Sequence, residues 1–352
     1  MKKRICLVCD VKGWAFDLIA QDIKNKLNYK YDFRVRYLSY EENDDMSQKL
    51  FELLDENDDC DLIHFFLRKT LIVLGTTDFK ELLIKRKIDY DNYILEKKKK
   101  ITTGVYDFLY LNNKEKINKF KNIFNNYVKA YYVNSQKLYN KYLEIEEYRQ
   151  PLMIVNDIFN SSIFKPERLE RFMRENIINR PLVIGWVGNG ERMEDNIDLK
   201  GLNTIIKPVI SKLIDEGYLF TEEYADRNVQ WIPHTEMPEY YRKIDLCLIT
   251  STHEGTPLPA LEAMSCGIPL ISTDVGVINE LFGEKQRKFI IGSRDYGKND
   301  EQIRNLLKQK LIEFYNHREL FEELSKENIE SLKKYIEINN INKYDNFFES
   351  CL

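Results

Sequence analysis

Short apolar runs alternate with longer amphipathic stretches through the first half of the chain. Arg4–Cys9 predicts a strand and Trp14–Leu27 a helix. Phe33–Leu38 and Asp61–Phe66 predict two further strands, and the stretch Thr70–Arg86 that follows fits neither period cleanly. Ile101–Val105 predicts a fourth strand, Lys114–Asn126 a helix, Ala130–Val133 a strand and Met153–Val155 a short last one. Ser135 is placed to cap a helix over Gln136–Glu146, because its side-chain oxygen can accept from amides that a first helical turn leaves without partners. Strand–helix alternation of this kind means a parallel sheet covered on both faces.

After a break near Phe164-Lys165-Pro166 the alternation resumes. Leu182–Val187, Val229–Ile232, Leu246–Ile249, Pro269–Ser272 and Phe289–Ile291 predict strands. Thr204–Leu213, with Asn203 as its cap, Pro238–Lys243 and Leu258–Cys266 predict helices. Two long helices follow, over Glu301–Asn316 and Arg318–Tyr335, and the polar-aromatic tail Ile341–Phe348 suits a final one. The expected fold is α/β, with two Rossmann-like doubly wound parallel-sheet domains facing a cleft. Residues 1–164 form the first, with 336–352 a candidate helix to complete it, and residues 165–335 the second. Open sheets of this type bind ligands at the carboxyl ends of their strands.

Length and composition narrow the function. At 352 residues the chain suits two domains, and 43% hydrophobic with 31% charged residues is ordinary for a soluble globular protein. A net charge of −4 argues against a general nucleic-acid binder. Residues 1–164 carry 28 Lys/Arg against 25 Asp/Glu and the remainder 25 against 32, so the first half is the more basic. No apolar stretch reaches the roughly 18–20 residues that span a bilayer, and no signal-peptide pattern precedes the first strand. The expected location is cytoplasmic, with at most a peripheral contact at the inner face of a membrane. Cys6 and Cys9 have C-x-x-C spacing, but within Ile5-Cys6-Leu7-Val8-Cys9 they read as buried strand positions rather than a redox or metal pair.

The most informative stretch is Thr250 to Glu280, TSTHEGTPLPALEAMSCGIPLISTDVGVINE. A strand ends in a polar loop, Glu254-Gly255 turns, Thr256 is a good cap and Pro257 fits the first helical position. Such a helix start is an anion site, with backbone N–H groups and the positive end of the dipole aimed at the ligand. Pro257 and Pro259 have no N–H, which leaves Gly255, Thr256, Leu258 and Ala260 as donors. Glu254 and Glu262 flank the site. Carboxylates repel phosphate and accept from hydroxyls, so the pattern suits a nucleotide sugar with its hexose at one end and its ribose at the other.

Glu254-x7-Glu262, followed by Ala263-Met264, Gly267-Ile268-Pro269 and Gly276, resembles the signature of retaining glycosyltransferase family 4, group 1 enzymes of GT-B architecture. The resemblance implies that Glu254 contacts the donor hexose, that Glu262 binds the ribose, and that the Gly255, Thr256 and Leu258 amides serve sugar and pyrophosphate. Gly185-Trp186-Val187-Gly188-Asn189 with Lys200-Gly201 is similar to that family's strand, glycine turn and Lys-Gly. There a basic pair neutralises the leaving diphosphate; Lys200 matches, Asn189 stands at the Arg position, and Arg192 is the substitute candidate. Gly188, Ile232 and His234 border the same expected donor site, and His253 the cleft. The implied function is retaining transfer of a hexose or related sugar from a nucleotide-diphosphate sugar, a UDP-sugar ahead of a GDP-sugar, to a glycan or lipid-linked acceptor. Glu254 and Lys200 carry the catalysis, and no cofactor or divalent metal is expected.

The first half resembles the family more loosely. Asp10-Val11-Lys12-Gly13-Trp14 follows the first strand where relatives meet the donor phosphates with a glycine loop, and Gly13 is the candidate. Tyr106 stands where relatives often place a His near the reacting sugar. Tyr106, Asp107 and His64 are the acceptor-side candidates, with a helix cap as the other reading of Asp107 and a core position as that of His64. Lys85-Arg86-Lys87 and Lys97–Lys100 surround Ile88–Leu95, a basic segment that is either a solvated face or a membrane contact. No G-x-G-x-x-G follows the first strand, which argues against a dehydrogenase. A nucleotide-sugar 2-epimerase and a catalytically silent nucleotide-sugar binding module remain as alternatives on the same architecture.

Overall fold

The computed structural model describes residues 2–39, 44–108, 111, 114–159, 161–166, 169–194 and 196–352, with 174 and 175 by backbone alone. The chain divides into two units, Met1–Ile158 with Asn339–Leu352, and Phe159–Ile338.

The first unit runs β1 (Lys3–Cys9), α1 (Ala15–Leu27), β2 (Tyr31–Tyr37), α2 (Met46–Glu56), β3 (Leu62–Phe65), a 3₁₀ turn (Arg68–Gly75), α3 (Thr77–Lys85), α4 (Tyr90–Lys98), β4 (Ile101–Val105), α5 (Lys114–Asn122), β5 (Ala130–Val133) and α6 (Gln136–Leu143). Its sheet has the order β2-β1-β3-β4-β5 and every pairing is parallel. Residues Ile5 to Cys9 are all buried, because helices cover both faces. Side chains alternate, so Cys6 and Val8 enter one core and Ile5, Leu7 and Cys9 the other. The C-x-x-C pair therefore points to opposite faces of the sheet, and both thiols are free. Ser135 caps α6 through a 3.2 Å bond from the Leu138 amide.

The second unit runs α7 (Arg174–Ile177), β6 (Leu182–Gly188), the two-residue strands β7 (Met193–Glu194) and β8 (Ile197–Asp198), α8 (Lys207–Asp215), β9 (Phe220–Asp226), α9 (Met237–Tyr241), β10 (Leu246–Ile249), α10 (Leu258–Ser265), β11 (Leu270–Ser272), α11 (Ile278–Leu281), α12 (Asp300–Asn316) and α13 (Glu319–Ile338). The sheet order is β11-β10-β6-β9, again parallel. The chain then returns to the first unit with α14 (Asn342–Cys351), whose Tyr344, Phe347 and Phe348 are buried against the core around Phe33 and Tyr132.

Several expected elements change. The edge strand is Phe220–Asp226, and Val229–Ile232 is an exposed loop with Val229 85% and Trp231 68% accessible. The Val229 and Gln230 amides both turn back onto the Asp226 carbonyl, which ends the strand. Met153–Val155 and Phe289–Ile291 make isolated bridges, Val133↔Ile154 and Ser272↔Ile290, rather than strands. Asn203 does not cap the helix of its segment: its amide nitrogen donates to the Gly190 carbonyl, and Asp198 takes the capping role. Thr70–Arg86 resolves into a 3₁₀ turn and α3.

Candidate functional site

The site is built at the carboxyl end of the second unit's sheet. The Asp198 side chain, 1% exposed, accepts from the amides of Lys200 (3.1 Å), Gly201 (2.7 Å), Asn203 (2.9 Å) and Thr204 (3.1 Å). One carboxylate thus shapes the Lys200-Gly201 turn and satisfies the start of the following helical segment. Gly201 has φ +76°, and a Cβ there would lie 2.5 Å from the Thr250 hydroxyl and 2.7 Å from its carbonyl oxygen. That close approach lets the Thr250 hydroxyl donate to the Lys200 carbonyl at 2.9 Å and the Thr252 amide to the Leu199 carbonyl at 2.9 Å.

Stitched together, the two loops bring the Lys200 ammonium onto the Glu254 carboxylate. The Ser251 hydroxyl donates to the same carboxylate at 2.7 Å. Burial pushes the Glu254 carboxyl up, but the Lys200 charge and the hydrogen bonds from Lys200 and Ser251 outweigh it and hold it below its ordinary value. Glu254 is therefore ionised at neutral pH, an acceptor of hydroxyl protons. Gly276, φ +49°, closes the turn from behind: a Cβ would meet the Gly255 carbonyl oxygen at 1.8 Å, and the Val277 amide donates to that oxygen at 3.1 Å.

Helix α10 starts at Leu258 as expected, but its cap lies one residue later than the sequence suggests. Pro257 is its cap residue, with φ −70° and ψ 92°, and makes no side-chain cap bond. Thr256 stands before it, and Pro259, lacking an N–H, fits the first turn. The Ala260 amide is bonded to the Pro257 carbonyl at 2.8 Å, which removes one expected donor. Glu262, 5% exposed, accepts from the Tyr241 hydroxyl at 2.7 Å and meets His234 Nε2 at 3.2 Å. The hydrogen bond to Glu262 raises the His234 pKa, and burial opposes it.

Around this centre the other donor-side candidates differ. Gly188 lies under the Trp186 ring, where a Cβ would be 2.8 Å from it. The Asn189 side-chain oxygen accepts from the Glu191 amide at 3.0 Å and Asn228 at 2.6 Å, so it shapes the turn. Arg192 is exposed and, among the described residues, makes no hydrogen bond to Lys200 or Glu254. Ile232 lies in the loop after β9, packed partly against the core. His253 stacks on Tyr296 at 5.7 Å and contacts Thr252.

In the first unit, the Gly13 amide is bonded to Asp17 at 2.7 Å, and Asp17 also accepts from Gln21 (3.0 Å) and Tyr37 (2.8 Å). A carboxylate thus occupies the Gly13 loop where a phosphate was expected. His64 is fully buried, 3.0 Å from the Thr102 hydroxyl and 3.3 Å from Tyr132, with its pKa pushed down to about 3 by burial. It is a neutral core histidine and not an acceptor contact. Tyr106 is likewise enclosed, its hydroxyl on that of Tyr132. Asp107 forms a forked ion pair with Arg68 at 2.6 and 3.3 Å. The lysines of the Lys97–Lys100 run are engaged too: Lys97 and Lys100 on Asp58, Lys98 on the Asn125 carbonyl, Lys99 on Glu96.

Comparison with known proteins adds to this geometry. Residues 220–328 match the family model of glycosyl transferases, group 1. A 73-residue stretch is 40% identical to the lipopolysaccharide core biosynthesis mannosyltransferase LpsB of Rhizobium meliloti, over 20% of this chain and 21% of the relative. A 93-residue stretch is 31% identical to the O-antigen chain mannosyltransferase B of Escherichia coli, over 26% of this chain and 24% of the relative. The matched stretches thus span less than a quarter of these relatives' length. The crystal structure of Anabaena HepE in complex with UDP-glucose superposes with a TM-score of 0.62 at 14% identity, over 99% of this chain and 100% of that one. The likeness shows the fold, two parallel-sheet α/β domains of the GT-B type. Both glutamates lie in the family-matched segment, and Lys200 lies outside it.

Proposed function

We propose that the chain is a retaining glycosyltransferase, moving a hexose or related sugar from a nucleotide-diphosphate sugar to a glycan or lipid-linked acceptor without a divalent metal. The observation that carries this reading is the Lys200–Glu254 pair beside the start of α10. An arriving diphosphate competes for the Lys200 ammonium. Once Lys200 turns to it, the ionised Glu254 is released to accept from hexose hydroxyls, and the α10 N-terminus adds its dipole to the leaving charge. Lys200 and backbone amides then stabilise the departing diphosphate, the role a metal fills elsewhere. The LpsB likeness supports sugar transfer, and the UDP-glucose bound to HepE supports a nucleotide-sugar donor and favours the uridine series. Retention rests on the resemblance of Glu254-x7-Glu262 to the retaining family.

The test is nucleotide-diphosphate release from a panel of UDP- and GDP-sugars, with and without candidate acceptors, followed by proton NMR of any new linkage. Acceptor-stimulated UDP release with a retained anomeric configuration supports the reading. An inverted linkage, or interconversion of the donor without transfer, contradicts it.

A further inference from the structure

We infer that Arg294 is a positioning residue for the Lys200–Glu254 pair, holding in register the two loops that carry them; its catalytic consequence rests on the glycosyl-transfer reading above. Arg294 lies in the loop between the Ser272↔Ile290 bridge and α12 and has a fully buried side chain. Its Nε and Nη2 fork onto the Asp300 carboxylate, at 2.6 and 2.7 Å, at the first residue of α12. Nη1 donates to the Asp198 carbonyl and, at 3.5 Å, faces the Thr250 carbonyl. Nη2 also donates to the Thr204 hydroxyl at 3.1 Å.

One planar cation therefore touches the backbone two residues before Lys200 and the backbone four residues before Glu254. Asp198 passes the constraint on, because its carboxylate binds the Lys200 and Gly201 amides. Asp300 fixes the guanidinium, and its charge also suits the positive end of α12. A lysine at 294 would keep the charge but not the fork, so it could not serve Asp300 and both loops together. Reacting groups set even about 1 Å out of place can lose on the order of 10²-fold in rate.

Arg294→Lys and Asp300→Asn test the inference. Hydrogen–deuterium exchange of the ligand-free protein needs no substrate. It is expected to quicken in both 198–204 and 250–256, with the sheet strands unchanged. Under turnover, Arg294→Lys is expected to lower kcat about tenfold or more, to shift donor KM no further than Lys200→Ala does, and to add little to Lys200→Ala. Exchange quickening at only one loop or throughout the unit, or an unchanged kcat, overturns the positioning role. Should the wild-type protein release no nucleotide diphosphate, the glycosyl-transfer reading fails separately, and the exchange pattern still decides whether Arg294 holds the two loops.

Discussion

The His234 imidazole meets one oxygen of the Glu262 carboxylate at 3.2 Å while the Tyr241 hydroxyl holds the other at 2.7 Å. The carboxylate proposed for the ribose thus has a protein donor on each oxygen. Tyr241 is buried and His234 is 42% exposed, so the histidine is the partner a ribose hydroxyl can displace.

This gives a pH dependence. The Glu262 bond raises the His234 pKa, so the pair's stabilisation is full below the ordinary histidine pKa of about 6.5 and fades as pH rises through the raised value. Protonated His234 competes with the ribose. UDP affinity should therefore increase as pH rises above about 6.5, and His234→Asn should flatten the trend. Titrations at several pH values check this; affinity that falls with pH would point to a protonated His234 aiding the nucleotide.

Glu254→Gln keeps the shape but removes the charge that Lys200 and Ser251 hold ionised. A group facing the reacting sugar acts most in the transition state, so kcat should fall on the order of 10²-fold with a small change in donor KM. Steady-state kinetics with the best donor measures it, and a KM effect alone would move Glu254 away from the reacting centre.

Turnover should persist in EDTA, because Lys200 and the Leu258 amide at the start of α10 face the leaving diphosphate in this account. Loss of activity on chelation, restored by manganese, would refute it.

Gly276→Ala should destabilise the second unit by at least about 2 kcal/mol, since the left-handed backbone and the Gly255 carbonyl, 1.8 Å from the added Cβ, both oppose it. Chemical denaturation reads this directly; an unchanged midpoint would mean the turn relaxes freely.

The sequence disclosed some of this architecture and hid the rest for physical reasons. Ile5–Cys9 of β1 and the whole of β10 are short apolar runs buried on both faces, the pattern a parallel strand requires. β9 was missed because FTEEYAD is an edge strand with polar residues on its open side, while the β-like Val229–Ile232 lies past its end. α4 is hard to read because its core-facing stripe, Tyr90, Tyr93 and Ile94, is short and only half apolar, while Leu95 is exposed on the other side. At the site, Glu254 with Glu262, and Lys200 with Gly201, each stand in a local motif, although 54 residues separate Lys200 from Glu254. Arg294 acts on backbone groups 96 and 44 residues away, and no local pattern records that. Asp198 did have a signal, since an acidic residue shortly before a helix start is a cap candidate, but Asn203 offered a nearer one.

The central claim is that the second unit holds the nucleotide diphosphate, with Lys200 on the phosphates, Glu262 on the ribose and Glu254 turned to the hexose. Isothermal titration of UDP into the wild-type protein and the Lys200→Ala, Glu262→Gln and Glu254→Gln variants tests it most directly. The account predicts that the first two variants lose roughly 1.5–3 kcal/mol, about 10- to 150-fold in Kd, for a lost charge-assisted hydrogen bond, while Glu254→Gln stays within about threefold. Loss of UDP affinity in Glu254→Gln with Glu262→Gln unaffected would reverse the donor's orientation and contradict the account.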